Sequence, residues 1–472
     1  MISRRRFLQS SASLALLPLL PRVAMSTGVA VRQNWQVFCT GPTFQSMVNG
    51  VRAMRSINDD TNPASWAYWA NVHKNFCPHG RPYFLAWHRG LLLRFEGWLR
   101  KASGDDALVL PYWDYYTQPQ IPPEFLDTTS SLYRKGRTGS DVTAALSLDP
   151  FADTVVNFQR GLDNALEPII ETRPHNPVHN LIGGAMAQVP LSPWDPIFWV
   201  HHANIDRLWA AWVKAGNGRQ MPPASDPYWS GSFQYGSAIK AVPRSWTIST
   251  THQYLNYQYD DESMPSSLPP SGSSTARSAS FATAGSAPLK PATVQTMAMG
   301  TARPLALDDR SINVDVALSA QDTNRVRSML LQPAGKTATA GSLRLVLDGV
   351  QTTALGDQGG YFYKIFVNLP ETAGVHPAER TYLLGMVGPF EISVAQMQAA
   401  MQGTGMQGMQ GMHAGHGKQD AQFVFPISDA LRRLAPVQLD KLSISFVRAD
   451  GGRRPPKGDT IRIKSFRVVA DN

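Results

Sequence analysis

Between residues 303 and 472 apolar and polar positions alternate: Ile312, Val314 and Val316, then Leu343, Leu345 and Leu347, then Leu442, Ile444 and Phe446, then Ile461 and Ile463. A period of two sends alternate side chains to one face of a strand, and the Gly and Pro between these runs supply turns. This part predicts a compact β-rich domain, sandwich-like or a barrel. Residues 30–262 are instead rich in Trp, Tyr, Phe and His and read as helical. Asn62-Pro63 predicts a helix through Trp66 and Trp69 to about Lys74. Pro82 predicts a second, through Trp87, Leu92, Phe95 and Leu99. Ser192-Pro193, with Asp195 at the capping-box position, predicts a third through Phe198, Ile205 and Trp209. Pro177 is tolerated only near a first turn, so a fourth begins close to His175. Residues 263–302, dense in Ser, Pro, Ala and Gly, read as a linker between the two parts.

A length of 472 residues is long for one hydrophobic core and fits two or more domains. No apolar run after residue 30 is long enough to span a bilayer. The formal charge of +9 includes Arg4, Arg5, Arg6 and Arg22, which belong to a segment expected to be removed. The remainder carries no dense basic run of the nucleic-acid-binding type. Ser3-Arg4-Arg5-Arg6-Phe7-Leu8-Gln9, followed by the apolar Leu14 to Leu20, matches a twin-arginine export signal, with small residues for cleavage near Ala24-Met25-Ser26. Residues 1–26 are therefore expected to engage the twin-arginine export machinery. The mature chain is expected in a bacterial periplasm or beyond, without a membrane anchor. Cys39 and Cys77, the two cysteines, could pair in such an oxidising compartment.

Seven of the 11 histidines fall into two groups, at 73–88 and 175–202. His175 and His179 are four apart and share one helix face, so they can chelate one ion. His201 and His202 are about 100° apart on a helix, so one of them is a ligand and the other supports it. Asp206, one turn on, can anchor that helix. In the first group His73 closes a helix, His79 sits on a loop and His88 lies within the next helix. Spacing thus predicts two trihistidine metal sites. All-imidazole ligation suits Cu, Zn, Fe or Ni and does not choose among them.

These residues also resemble a known family. His79-Gly-Arg-Pro-Tyr-Phe-Leu-Ala-Trp-His88-Arg89 is similar to the first copper signature of tyrosinases, and Asp195-Pro-Ile-Phe-Trp-Val-His-His-Ala-Asn-Ile-Asp206 to the second. His175-Asn-Pro-Val-His179 and Pro111-Tyr-Trp-Asp-Tyr115 match further stretches of that family. Tyr361-Phe-Tyr-Lys-Ile-Phe-Val-Asn-Leu369 and Ile427-Ser-Asp-Ala-Leu-Arg-Arg-Leu434 more weakly resemble the C-terminal domain of plant-type polyphenol oxidases.

The resemblance implies an α-helical catalytic core, a four-helix bundle around two copper ions, followed by a β-rich C-terminal shielding domain. It assigns His73, His79 and His88 to one copper and His175, His179 and His202 to the other, with His201 beside the site. It implies O2 and small phenols as reactants, with o-quinones as products. Glu171 and Asn176 stand where the family holds a water that takes the phenol proton; the alternative for Glu171 is a helix-start acid. The resemblance places Asn180 at the substrate mouth and Phe198 against the copper histidines. Arg32 would stack on the Tyr257-Gln-Tyr259 motif that closes the core. Cys77-Pro78-His79 resembles the Cys-x-His of fungal relatives, implying a thioether between Cys77 and His79 as an alternative to the disulfide. The C-terminal domain would cover the site and make the enzyme latent. Met406, Met409, Met412, His413 and His416, in a Met-, Gly- and Gln-rich run, are a candidate auxiliary copper site or else a low-complexity loop. Tyrosinase is the expected activity. Catechol oxidase and o-aminophenol oxidase are alternatives on the same core, and a haemocyanin-like O2 carrier is the rival outside catalysis.

Overall fold

The computed structural model describes residues 28–270, 293–331, 342–371, 375–403, 419–434, 439–452 and 455–470, with 289, 291 and 373 besides. The expected export segment, most of the expected linker, and Met406, Met409, Met412, His413 and His416 lie outside the described residues.

Helices α1 (Phe44–Ser56), α2 (Trp66–Phe76), α3 (Phe84–Ser103), α4 (Asn176–Ile182) and α5 (Ile197–Ala215) build the first part. The four predicted helices are present, but three begin later than expected. Asn62 and Pro63 turn ahead of α2, and the cap is Ser65, whose hydroxyl accepts from the Ala67 amide at 3.1 Å. Pro82 is followed by Tyr83 in a left-handed backbone (φ 79°), which delays α3 to Phe84. Ser192–Trp194 closes a separate 3-10 turn. Asp195 then caps α5 by accepting from the Ile197 amide at 3.1 Å, while its carboxylate also holds Arg137. His175 is the N-cap of α4, with Pro177 in its first turn, as the spacing predicts. Helix α1 was not anticipated, although its buried Met47, Val48, Val51 and Met54 follow helical spacing.

Aromatic packing fixes the helices against one another. Trp66 of α2 meets Phe95 of α3 edge-on at 5.4 Å and Trp199 of α5 at 6.0 Å between ring centres. Strand β1 (Ala30–Arg32) pairs in parallel with β2 (Tyr257–Tyr259), closing this part of the chain on itself. The register sets Arg32 opposite Tyr259, and its fully buried guanidinium lies 3.8 Å from the Tyr257 ring centre. Asp206 of α5 accepts from Arg89 Nε at 2.6 Å and from the Tyr259 hydroxyl at 2.6 Å, while Arg32 also reaches Glu96 at 3.1 Å. Removing one partner from such a buried ion group costs about 3–5 kcal/mol. The group locks α5 one turn beyond His202.

The second part is a sandwich of two sheets. Its strands are β3 (Val294–Ala298), β4 (Arg303–Leu307), β5 (Ile312–Ala317), β6 (Leu343–Thr352), β7 (Tyr361–Val367), β8 (Leu383–Val387), β9 (Ala421–Pro426), β10 (Lys441–Asp450) and β11 (Ile461–Ala470). One sheet has the order β8-β7-β10-β5-β3 and the other β9-β6-β11-β4. Only β3 and β5 pair in parallel among these neighbours. The predicted alternating residues fill the space between the sheets: Val314, Val316, Ile444 and Phe446 from one, Leu345, Leu347, Ile461 and Ile463 from the other. Strand β7 is buried at every position. Tyr361, Tyr363, Ile365 and Val367 face the sandwich core, while Phe362 joins the core of the helical part. Among the described residues no helix is long and apolar enough to cross a membrane.

Candidate metal centre

Seven histidines converge on one buried region between α2, α3, α4 and α5. His73 and His88 come from α2 and α3, and His79 from the loop joining them. His175 is the N-cap of α4 and His179 its fourth residue, and His201 and His202 come from α5. None of the seven rings is more than 4% exposed. The His73, His79 and His88 rings lie 5.1, 5.5 and 5.2 Å apart pairwise. His175, His179 and His202 lie 4.6, 4.9 and 5.6 Å apart. The two triads share a wall: His88 and His202 stack at 4.4 Å, and His79 faces His175 at 5.5 Å.

Ring orientation follows from the hydrogen bonds at Nδ1. His88 Nδ1 donates to the Phe84 carbonyl at 2.7 Å, His179 Nδ1 to Met186 O at 2.9 Å, and His175 Nδ1 to Asn176 Oδ1 at 2.7 Å. Each contact assigns the proton to Nδ1 and leaves the Nε2 lone pair turned inward. The Nε2 atoms of His73, His79, His88 and His179 are buried without a hydrogen-bond partner among the described residues, and those of His175 and His202 face each other at 3.3 Å. A buried unpaired nitrogen is costly, so these four, with the facing His175–His202 pair beside them, call for an occupant that takes lone pairs. Burial holds these imidazoles below their ordinary range, His88 at about 3, so they are neutral, the form that binds a metal. The donor set fits a pair of metal ions.

The donor atoms interleave more than the rings do. Those of His175, His179, His201 and His202 lie within 4.8 Å of one another, and so do those of His73, His88 and His202. Distance within the second group therefore admits either His201 or His202. His202 borders both triads, whereas His201 lies beside His175, His179 and Tyr115. A ligand must line the shared space, and this favours His202. Phe198 packs on His202 at 4.2 Å and on His73 at 4.9 Å, as expected of it.

Glu171 is the C-cap of the short helix Leu166–Ile170 and the first residue of the irregular turn Glu171–His175. Its Oε1 accepts from the Gly80 amide at 2.7 Å and its Oε2 from Arg160. Burial pushes its carboxyl up to about 7, with Arg160 pulling the other way. Asn176 is engaged separately, at His175. Cys39 and Cys77 are free thiols, which overturns the disulfide alternative. Cys77 is buried with its Sγ 3.1 Å from His79 Nδ1, whereas Cys39 follows the helical turn Trp35–Phe38.

A residue that the sequence did not single out closes the cavity. Helix α6 (Pro389–Gly403) of the second part drives Phe390 between the histidines, stacked on His179 at 4.1 Å and edge-on to His79 and His175 at 5.5 Å each. Asn180 receives this helix: its Oδ1 accepts from the Phe390 amide at 2.8 Å, and its Nδ2 donates to Glu391 at 2.7 Å. A Cβ on Gly388 would stand 2.6 Å from Asn180 Nδ2, so only glycine permits this approach. Gln398 donates to the His79 carbonyl at 3.0 Å, tying the far end of α6 to the other triad.

Comparison with known proteins agrees with this geometry. The family model for the common central domain of tyrosinase matches residues 51–164 and 128–215. The chain is 33% identical over 221 residues to tyrosinase HcTyr1 of Hahella sp. (strain CCB-MM4), covering 34% of this chain and 45% of the relative. It is 33% identical over 192 residues to the tyrosinase of Streptomyces lincolnensis, covering 32% of this chain and 67% of the relative. The structure of latent apple tyrosinase superposes with a TM-score of 0.54 at 18% identity, over 96% of this chain and 99% of that one, and so shares the fold of both parts. The chain therefore belongs to the tyrosinase family of type 3 copper proteins, and its C-terminal part shares the fold of the corresponding part of latent apple tyrosinase.

Proposed function

We propose that the chain is a phenol oxidase that converts monophenols and o-diphenols to o-quinones with O2, and that its C-terminal domain keeps it latent. The observation that carries this reading is the inward convergence of six partnerless or mutually facing Nε2 atoms. His73, His79 and His88 would hold one copper, and His175, His179 and His202 the other. When bound, the copper pair supplies the redox chemistry that activates O2 toward the phenol ring. One monophenol and one O2 give one o-quinone and one water; two catechols and one O2 give two quinones and two waters.

The chain's own residues orient the reactants and move the proton. Asn176 fixes the His175 tautomer. The Glu171 carboxylate, pinned to the Gly80 amide next to His79, holds the water that takes the phenolic proton. An acceptor must be ionised, so monophenol turnover should decline as pH falls below about 7, with catechol turnover less affected. Replacing Glu171 by Gln should lower monophenol kcat/KM about tenfold or more relative to catechol. Steady-state oxygen uptake with both substrates checks this, and equal slowing of the two would count against the water-holding role.

Phe390 and the Asn180 contacts support latency, since the aromatic ring occupies the space a phenol ring would need. Two further features belong to the same reading. The Cys77 thiol, with its Sγ 3.1 Å from His79 Nδ1, would form a thioether with a ring carbon of His79, O2 taking up the two hydrogens as hydrogen peroxide. Mass spectrometry of the peptide carrying both residues should then find it two mass units light, and an alkylatable Cys77 in copper-loaded protein would exclude the bond. Folded export through the twin-arginine machinery, with no nucleic-acid or membrane partner in the mature form, completes the proposal.

A further inference from the structure

Glu171 does not stand alone. Glu167, one turn earlier, is equally buried, and both carboxylates accept a hydrogen bond from Arg160. Arg160 donates from its backbone amide to Glu167 Oε2 at 3.1 Å and from its guanidinium to Glu171 Oε2. Glu167 is further held by the Tyr228 hydroxyl at 3.2 Å and the Leu85 amide at 3.4 Å. The Arg160 side chain is 25% exposed, whereas that of Glu171 is 2% exposed, so the cation reaches in from the surface to a carboxylate shut off from water. Its Nε finds no acceptor among the described residues, which leaves the Glu171 contact as the anchor of the guanidinium.

Two buried carboxylates a turn apart cannot both stay charged without compensation; like charges in a poorly solvated place force one to take a proton. The charged or titratable groups that face Glu171 are Arg160, Glu167 on its own segment and Cys77 from the loop after α2. Arg160 is the one cation among them. Its guanidinium also fixes one oxygen while Gly80 fixes the other, which sets the plane of the carboxylate.

We propose that Arg160 is a positioning residue that keeps Glu171 charged and aimed at the phenolic proton, and so sets how well the site handles monophenols relative to catechols. The inference rests on the reading of Glu171 as holder of the proton-accepting water. Arg160 touches no reacting atom and acts through Glu171 alone.

The test compares Arg160→Gln, Arg160→Lys and Glu171→Gln in the copper-loaded protein after activation by limited proteolysis. Arg160→Gln should lower the monophenol-to-catechol ratio of kcat/KM about tenfold, with catechol turnover kept within about threefold, and Arg160→Lys should restore most of the ratio. A second readout needs no turnover. In metal-free protein, the infrared band of the protonated Glu171 carboxyl, identified by its absence in Glu171→Gln, should appear at higher pH in Arg160→Gln than in the parent. Equal loss on both substrates, no rescue by lysine, or an unmoved carboxyl midpoint would each overturn the proposal. If Glu171→Gln itself slows both substrates equally, the water-holding reading is what has failed; if it is selective and Arg160→Gln is not, only the role of Arg160 falls.

Discussion

Alanine in place of Phe390 should release activity in the uncut chain without any proteolysis. The ring is fully buried among His79, His175 and His179, and burying a phenylalanine stabilises an arrangement by about 1.5–3 kcal/mol. Losing that contact should shift the balance between covered and open cavity by about tenfold to a hundredfold, since each 1.4 kcal/mol is a factor of ten. Each part keeps its own hydrophobic core, so the variant should stay folded. Oxygen consumption with catechol, measured before and after limited proteolysis, reads the effect. The parent should be activated by cutting, and Phe390→Ala should be active before it. A variant as inactive as the uncut parent, yet equally activated by cutting, would show that the cover blocks the site by some other contact.

His202→Ala should instead remove oxygen consumption in every form, cut or uncut. His202 borders both triads, stacked on His88 and facing His175 at Nε2, so its loss opens one ligand set and unsettles the other. Changes to groups that merely orient metal ligands cost about 10–100-fold, so deletion of a ligand should cost more than about a hundredfold. His201→Ala is the control that separates the neighbours. If His201 and not His202 proved indispensable, the ligand assignment within that pair would be reversed. The buried ion group around Asp206 anchors α5 independently of the metal, which should keep both variants folded.

Much of this was legible in the chain, because metal ligation and strand burial both impose local periodicities. His175 and His179 at four apart, and Ile312, Val314 and Val316 at two apart, each state a face directly, and the structure puts each on the face predicted. Helix starts were read less well. Proline marks the neighbourhood of a first turn, but the cap belongs to whichever side chain reaches the free amides, here Ser65 rather than Asn62 and Asp195 rather than Ser192. The plug was illegible because Phe390 and His179 lie 211 positions apart and nothing in Gly388-Pro-Phe-Glu391 marks it locally; only docking of the sandwich on the helices gives it meaning. Arg160 was missed for the same reason: an arginine in a loop gains its role only when the turn at Glu171 brings the two together.

We propose that the two triads of imidazoles hold one copper ion each. Elemental analysis of the purified, copper-reconstituted full-length chain tests it most directly. It should return two coppers per chain and little zinc or iron; one copper per chain, or a different metal retained in preference, would contradict it.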